Sequence, residues 1–161
     1  MERHRPWAEE RACAILAEHQ HLRGALLPML HALQEEFGYI DDAALPLLAK
    51  TLNLSRAEIH GVVSFYHEFR RQRPGQHVLK VCRAEACQSM GAEALIAHIQ
   101  DHLRIDFGQS SADGRFSLEA VYCLGNCALS PSLLLDDTLH GRVSPARFDA
   151  LTAPLVQEAA E

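Results

Sequence analysis

The sequence lacks several features that would point to other classes of protein. No stretch comes near the roughly 18 consecutive apolar residues that a membrane-spanning helix requires, so no such helix is expected. The N-terminal segment MERHRPWAEERAC is charged and has no apolar core, which predicts that it is not a secretory signal. Basic residues are not in excess either, since 15 Lys and Arg stand against 21 Asp and Glu, for a formal net charge of −6. Nucleic acid is not expected as a partner, because phosphate binding requires clustered positive charge.

The composition is that of an ordinary globular protein. Of the 161 residues, 48% are apolar and 22% are charged, so widespread disorder is not expected. Without an export signal we expect a cytoplasmic protein, and disulfides are the poorer interpretation of five cysteines in that reducing compartment. The chain is long enough for a small helical module followed by a second compact unit. Cysteine chemistry is therefore the main guide to function.

The first half of the chain is patterned as a succession of amphipathic helices. Gly38 stands where a left-handed residue would end the second helix, and Asp41 is predicted to cap the third. The segment Ser55-Arg-Ala-Glu58 is a capping box that predicts the start of the fourth. Narrow apolar stripes and short loops predict an N-terminal helical bundle over residues 1–73. The residues expected to face inward are Ala12, Ile15, Leu16, His19, Leu22, Leu26, Leu30, Leu33, Phe37, Leu45, Leu48, Leu52, Ile59, Val62, Val63 and Tyr66.

The second half, residues 74–161, follows a basic and turn-forming stretch and changes its periodicity. It predicts the element order β-α-β-β-β-α, which makes the whole chain α+β or α/β. The first two strands and the helix between them form a βαβ unit, whose strands are parallel. In the second strand Ser117 is expected to face solvent. Strands are predicted at 77–82, 116–122, 132–135 and 141–143, and helices at 91–103 and from Ser144-Pro145 onward.

Two cysteine pairs follow the two parallel strands. Cys82-Arg-Ala-Glu-Ala-Cys87 comes after the first strand, and Cys123-Leu-Gly-Asn-Cys127 comes after the second, with 35 residues between the pairs. The carboxyl ends of parallel strands meet at one edge of a sheet, so we expect all four sulfurs to converge there. Four thiolates around one point predict a metal site.

Three kinds of site are compatible with these pairs. Structural zinc accepts pairs separated by roughly two to four residues, which would make the chain a zinc-stabilised interaction module. A [2Fe-2S] cluster fits a well-patterned α/β core better, because it is wider than one ion and each iron takes two thiolates. Its negative charge would be stabilised by the helix that starts at Gly91 and by backbone N–H groups near Gly125. A thiol–disulfide enzyme is the third alternative, although neither pair has the two-residue spacing of that chemistry.

At these residues the sequence resembles the thioredoxin-like [2Fe-2S] ferredoxins. The family pattern is a cysteine pair with four intervening residues and then a pair with three, in a Cys-Leu-Gly-x-Cys context that Leu124 and Gly125 match here. The segments LLPMLHALQEEFGYID, LNLSRAEIHGVVSFYHEF and HGRVSP resemble the family's helical region and final turn. The resemblance extends over residues 10–156. It implies a helical bundle followed by a thioredoxin-like domain, with one [2Fe-2S] cluster bound by Cys82, Cys87, Cys123 and Cys127.

Within the family, CRAEACQSMGA and CLGNCALSPS most resemble the γ subunits of cytoplasmic, molybdenum-containing, NAD-dependent formate dehydrogenases. Ser130 precedes Pro131 where a small apolar residue is expected in the respiratory members. The resemblance implies an electron-transfer subunit without catalytic residues, which exchanges single electrons with the FMN of a partner flavoprotein. FMN, NAD and the molybdenum cofactor are then expected on partner subunits. The alternatives are the equivalent subunit of NADH:quinone oxidoreductase or of an NAD-reducing hydrogenase.

Two further sets of potential ligands have simpler interpretations. Cys13 lies in the first predicted helix, far in sequence from the pairs, and is expected to be a small helix-packing residue. His98 and His102 have the i, i+4 spacing of a helical metal site. That helix lacks the intervening Glu of the metalloprotease arrangement, so we predict that the two histidines lie on an exposed polar face.

Overall fold

A computed structural model describes residues 4–157 of a chain that divides into two compact units, Met1–Pro74 and Gly75–Glu161. The predicted domain boundary lies one residue earlier, and the assignment of two functionally distinct domains stays a prediction. The outer ends of the predicted domains, residues 1–3 and 158–161, lie outside the described residues. No helix within residues 4–157 is long and apolar enough to cross a membrane.

The first unit is helical. Gly38 ends the second helix in the left-handed conformation, with φ of 84°, and its N–H donates to the Gln34 carbonyl at 2.7 Å. Ser55 and Glu58 form the complete capping box at the start of the fourth helix. Both predicted helix boundaries are confirmed. The helices are α1 (Glu9–His19), α2 (Leu26–Phe37), α3 (Ala44–Leu52) and α4 (Arg56–Phe65).

These helices enclose one apolar core. Trp7 packs on Phe37 at the edge of this core, with ring centroids 5.0 Å apart. Leu22 and Tyr66 were expected to face inward, but they are 41% and 42% exposed because each lies beyond the end of its helix. Asp41 does not cap α3 directly, since its carboxylate accepts the N–H of Ala43 in the preceding turn. The buried core residues are Ala12, Ile15, Leu16, Ala25, Met29, Leu30, Leu33, Phe37, Ile40, Ala44, Leu48, Ile59, Val63 and Phe69.

The second unit is built on a mixed five-stranded sheet in the order β2-β3-β1-β4-β5. The central strand β1 pairs in parallel with β3 and antiparallel with β4. In the parallel pair, His77 lies opposite Phe116 and Cys82 lies opposite Val121. The predicted parallel βαβ unit is therefore present. The strands are β1 (His77–Cys82), β2 (Gln109–Ser110), β3 (Phe116–Val121), β4 (Leu133–Leu135) and β5 (Thr138–His140).

Helices of the second unit cover this sheet. Gly91 precedes the longer crossover helix with φ of 90°, and Ser144 Oγ accepts the N–H of Arg147 at 3.2 Å at the start of the last helix. Both predicted starts are confirmed. The helices are α5 (Glu85–Ser89), α6 (Ala92–Leu103) and α7 (Pro145–Gln157), with a 3-10 turn at Cys127–Leu129. The buried core residues are Leu79, Val81, Leu95, Ile99, Ile105, Phe116, Leu118, Leu133, Leu135, Val143 and Phe148.

Three details of the second unit differ from the sequence predictions. The last strand is Thr138–His140 and not 141–143, because Asp136 and Asp137 adopt positive φ values and place the turn directly after β4. Ser117 is buried rather than exposed. Its hydroxyl accepts the N–H of Gly75 at 2.7 Å and lies 2.6 Å from the hydroxyl of Ser110, so the buried polar group is satisfied. The short elements α5 and β2 were not predicted.

Candidate metal centre

The first cysteine pair lies where β1 ends and α5 begins. Cys82 is the last residue of β1, and Cys87 lies within α5. Both are buried, and they pack with Ala92, the first residue of α6. Half-buried Ala84 and Leu124 pack against the same group. The start of α6 therefore adjoins this pair, where the positive end of a helix favours negative charge.

The second pair lies on the loop that follows β3. Cys123 comes two residues after β3 ends, and Cys127 begins the 3-10 turn. Both are exposed, in contrast to the first pair. Because Cys82 lies opposite Val121 in the parallel register, the loop leaves the sheet at the edge where β1 ends. The topology places both pairs at the predicted edge of the sheet.

The sulfurs interact both within and between the pairs. Burial and then hydrogen bonding to the Cys87 thiol raise the pKa of Cys82. A hydrogen bond with the Cys123 thiol is the largest cause of the raised pKa of Cys127, and the charge of Cys87 adds to it. The negative charge of Cys87 raises the pKa of both Cys82 and Cys127, so these thiols resist simultaneous ionisation. A cation placed among them would remove that repulsion.

Backbone N–H groups are directed at the sulfurs. Gly125, with φ of 72°, donates its N–H to the Sγ of Cys123 at 3.3 Å, as its position in the motif predicts. The N–H groups of Ala84 and Leu124 donate to the sulfur of Cys82 and partly oppose the effect of burial on its pKa. Donors of this kind stabilise thiolates.

Ser130 and Ser132 add donors around Cys87. Burial raises the pKa of the Cys87 thiol, but hydrogen bonding with the Ser130 hydroxyl, the Cys82 thiol and the Ser132 N–H outweighs it, so the pKa lies below its ordinary value. The Ser130 hydroxyl lies 3.5 Å from the Sγ of Cys87 and donates to the Cys127 carbonyl at 2.8 Å. Ser130 thus connects one cysteine of each pair. Its contact with Cys87 was not predicted, because the two residues are 43 positions apart.

The donor set fits a two-metal cluster better than a single zinc ion. Within residues 4–157, His98, His102 and Asp149 form the one group of three potential ligands whose atoms all lie within 4.8 Å of one another, so no three of the sulfurs are that close. Tetrahedral zinc with bonds of about 2.3 Å would hold all four sulfurs about 3.8 Å apart. In a [2Fe-2S] cluster only the two sulfurs on one iron must be that close. A net negative cluster also uses the N–H donors described above.

Cys13 lies outside this centre. It belongs to α1 in the first unit and is exposed, so the expectation that it packs between helices is wrong. The face of α1 that packs is formed by Ala12, Ile15 and Leu16. The chemistry of the site therefore rests on the two pairs.

Comparison with known proteins also points to a [2Fe-2S] cluster. A sequence model of the thioredoxin-like [2Fe-2S] ferredoxin family matches residues 12–155. A subunit of the NADH-quinone oxidoreductase of Pseudomonas aeruginosa is 39% identical over 123 residues, which are 76% of this chain and 74% of that protein. The HndA subunit of the NADP-reducing hydrogenase of Solidesulfovibrio fructosivorans is 33% identical over 130 residues, 81% of this chain and 76% of that protein.

A solved structure has the same fold. A chain in the crystal structure of the air-oxidised NAD+-reducing [NiFe]-hydrogenase superposes with a TM-score of 0.71 at 28% sequence identity. The match covers 83% of this chain but only 23% of the hydrogenase chain, so this protein corresponds to a minor part of that larger polypeptide. The predicted thioredoxin-like class is confirmed.

Proposed function

This chain belongs to the thioredoxin-like [2Fe-2S] ferredoxin family, and from that membership we propose that it is the one-electron subunit of an NAD-linked oxidoreductase complex. The cofactor of the family is a single [2Fe-2S] cluster, which changes its charge by one electron. The observation that carries the proposal is the set of two cysteine pairs at one sheet edge with N–H donors directed at their sulfurs.

We further propose that each pair holds one iron. Cys82 and Cys87 share a hydrogen bond, as do Cys123 and Cys127, so the members of each pair are already close. The two irons would then differ in surroundings, because the first pair is buried and the second is exposed. No residue of this chain is assigned a catalytic role in the proposal.

The proposed electron partner is the FMN of a flavoprotein subunit that also binds NAD. The names of the relatives support an NAD- or NADP-linked complex, since they are subunits of NADH-quinone oxidoreductase and NADP-reducing hydrogenase. The loop sequences CRAEACQSMGA and CLGNCALSPS favour a cytoplasmic formate dehydrogenase with a molybdenum-containing subunit. The similar proteins instead favour two alternative complexes, which we call the second candidates: NADH:quinone oxidoreductase and NAD(P)-reducing hydrogenase.

Cluster identity is tested by purification. The chain should be red-brown and contain about two irons and two acid-labile sulfides per molecule, as one [2Fe-2S] cluster requires. A colourless protein with stoichiometric zinc, even after anaerobic reconstitution with iron and sulfide, would overturn the proposal.

The ligands are tested by single substitutions of cysteine. Replacing Cys82, Cys87, Cys123 or Cys127 by Ala should abolish or alter the EPR signal of the reduced cluster, because each change removes one thiolate from an iron. Cys13→Ala is the matched control, since this exposed cysteine lies in the other unit, and its signal should be that of the wild type. A Cys13→Ala protein without the signal would contradict the ligand assignment.

The complex is identified by co-purification from the native source. A tagged form of this chain should recover an FMN- and NAD-binding flavoprotein. A molybdenum-containing subunit in the same complex supports the formate dehydrogenase, whereas a nickel-containing subunit or a quinone-reducing membrane assembly supports a second candidate. Recovery of the chain without any flavoprotein would contradict all three assignments.

A further inference from the structure

A second group of potential metal ligands lies on the helices of the second unit, with no cysteine in it. His98 and His102 are one turn apart on α6, and Asp149 lies in the first half of α7. The His98 Nε2 is 2.7 Å from the Asp149 Oδ1, and the His102 Nδ1 is 3.9 Å from the same oxygen. One ligand atom from each residue lies within 4.8 Å of both others. Two helices thus bring two imidazoles and one carboxylate to one point.

The two rings are held in place by packing. Phe148, which is fully buried, contacts both histidines edge-to-face, with centroids 6.0 Å from His98 and 5.8 Å from His102. The two imidazoles also stack on each other at 5.9 Å with an interplanar angle of 29°. Asp149 follows Phe148 on α7, and its carboxylate is positioned by the hydrogen bond with His98. The two imidazole rings are therefore held near the carboxylate before any ligand binds.

A hydrogen bond alone accounts for only part of this arrangement. It explains the contact between His98 and Asp149, which are both half-buried. The His102 nitrogen, however, lies beyond hydrogen-bonding distance from the carboxylate oxygen that it faces. Two imidazole nitrogens beside one carboxylate are a set of ligands that suits a divalent transition-metal cation.

We propose that His98, His102 and Asp149 bind a divalent transition metal, with Zn²⁺ as the ion that best fits two imidazoles and a carboxylate. Bonds of about 2.0–2.1 Å in a tetrahedron hold ligand atoms about 3.3 Å apart. The 2.7 Å contact must then open slightly and the 3.9 Å contact must close slightly. Side-chain rotation achieves both, because two of the three residues are only half-buried and His102 is exposed. Water would take the fourth position.

Such an ion would join α6 to α7. It would bind the folded unit and not the unfolded chain, and therefore stabilise the second unit by an amount that grows with the logarithm of the zinc concentration. The site uses nitrogen and oxygen ligands, whereas the cysteine pairs provide sulfur. The two sites are thus chemically distinct, and the proposal does not depend on the electron-transfer function.

The test is a titration of zinc chloride into the full-length protein with its iron–sulfur cluster in place, followed by calorimetry and equilibrium dialysis. The wild type should bind one zinc per chain, with no loss of iron. His98→Asn, His102→Asn and Asp149→Asn should each weaken binding by roughly tenfold or more, since each removes one of three bonds to the ion. His60→Asn is the matched control, because His60 is an exposed histidine on α4 of the other unit, and it should bind as the wild type does.

A second measurement separates binding from folding. Without metal, the three variants should melt near the wild-type temperature, because the lost groups are half-buried or exposed. At the same zinc concentration, zinc should then raise the melting temperature of the wild type and of His60→Asn by more than that of the three variants. Equal zinc affinity in the wild type and in the three variants would overturn the proposal, and so would the absence of any zinc-dependent shift in the wild type.

Discussion

At the scale of single residues, Ser130 is the side chain most directly placed to adjust the cluster. Its hydroxyl is buried, lies 3.5 Å from the Cys87 sulfur and lowers the pKa of that thiol. Reduction adds negative charge to a [2Fe-2S] cluster. Cys87, as a proposed thiolate ligand, has no proton to give, so the Ser130 hydroxyl can turn from the Cys127 carbonyl to donate to its sulfur, which stabilises the reduced form more than the oxidised form. Ser130 should therefore raise the reduction potential.

Replacing Ser130 by Ala should lower that potential. We expect a decrease on the order of 40 mV, which corresponds to about 1 kcal/mol for a one-electron couple. An EPR-monitored redox titration measures it, and the iron content shows whether the cluster is retained. Ser89→Ala is the control, because the Ser89 hydroxyl donates to the Ala86 carbonyl on an exposed part of α5. An unchanged or higher potential in Ser130→Ala would show that the hydroxyl does not act on the cluster.

Only some of the hydrogen bonds made by single residues could be predicted from the sequence. Gly125 was predicted to bring an N–H to a sulfur, because its place inside the motif makes the contact local. The contacts of Ser117 with Gly75 and of Asp149 with His98 were not, because they join residues 42 and 51 positions apart. Only the register of the sheet and the packing of two helices bring those residues together.

At the scale of elements, the loop that carries Cys127 packs tightly on the end of β5. A Cβ on Gly141 would lie 2.7 Å from the Leu129 Cβ and 2.9 Å from the Leu129 carbonyl oxygen. That carbonyl accepts the N–H of Arg142 at 2.6 Å, so the two segments are already held together. A side chain at position 141 must displace the 3-10 turn that begins at Cys127.

Gly141→Ala should therefore reduce metal binding at the candidate centre, although position 141 contributes no ligand. Overpacking of this kind costs about 1–3 kcal/mol, so the melting temperature and the iron content per chain should both fall. Iron analysis and thermal melts measure the two effects. Gly61→Ala is the matched control, since a Cβ at Gly61 on α4 meets nothing within 4 Å and should leave the iron content unchanged. Full iron occupancy in Gly141→Ala would mean that the turn can move without effect on Cys127.

The capping box of α4 predicts a pH-dependent contribution to stability. The N–H of Ser55 and then its hydroxyl donate to the Glu58 carboxylate and hold the pKa of Glu58 below its ordinary value. A carboxyl whose pKa is lower in the folded state contributes its full stability above its unfolded pKa. The contribution is then lost as the pH falls through the lower, folded pKa.

The wild type should accordingly exceed Glu58→Ala in stability at neutral pH, and the difference should shrink below about pH 4.3. Urea unfolding followed by Trp7 fluorescence measures this, because Trp7 is the single tryptophan and packs into the core that α4 shares. Glu35→Ala serves as the reference, since Glu35 is an exposed residue in the last turn of α2, away from any N-terminal cap. A difference that stays constant with pH would contradict the role of the ionised carboxylate.

The longer helices and strands were predicted from the sequence, whereas the shortest ones were not. The starts and ends at Gly38, Ser55, Gly91 and Ser144 follow from local capping chemistry and are confirmed. Helix α5 has five residues and β2 has two, too few for any periodicity to appear. The last strand was placed three residues late, because the positive φ values at Asp136 and Asp137 depend on the pairing of β4 with β5.

At the scale of the whole molecule, the metal centre is separate from the main core of its unit. Cys82, Cys87 and Ala92 form their own small buried cluster, whereas the main core contains no cysteine among its described residues. Zinc fingers are unfolded without their metal, whereas the main core of this unit is built from apolar side chains that do not include the cysteines. The second unit is therefore expected to fold without its cluster.

Removal of iron and sulfide should leave the far-UV circular dichroism spectrum largely unchanged and lower the melting temperature, because a bound cofactor stabilises only the folded state. The variant in which Cys82, Cys87, Cys123 and Cys127 are all replaced by Ser should give the same spectrum, and it serves as the metal-free control. A spectrum of an unfolded second unit in either protein would show that the cluster is required for folding.

The unequal exposure of the two cysteine pairs also limits how long the cluster can last. Cys123 and Cys127 are exposed, so in the isolated chain dioxygen and chelators would reach one side of a cluster bound by the two pairs. The other side is shielded by Ala92 and its neighbours. A partner that docks over the open side to exchange an electron would also keep oxidants away from it. Assembly would then extend the lifetime of the cluster, and an unassembled copy of the chain would be the form most readily inactivated by air.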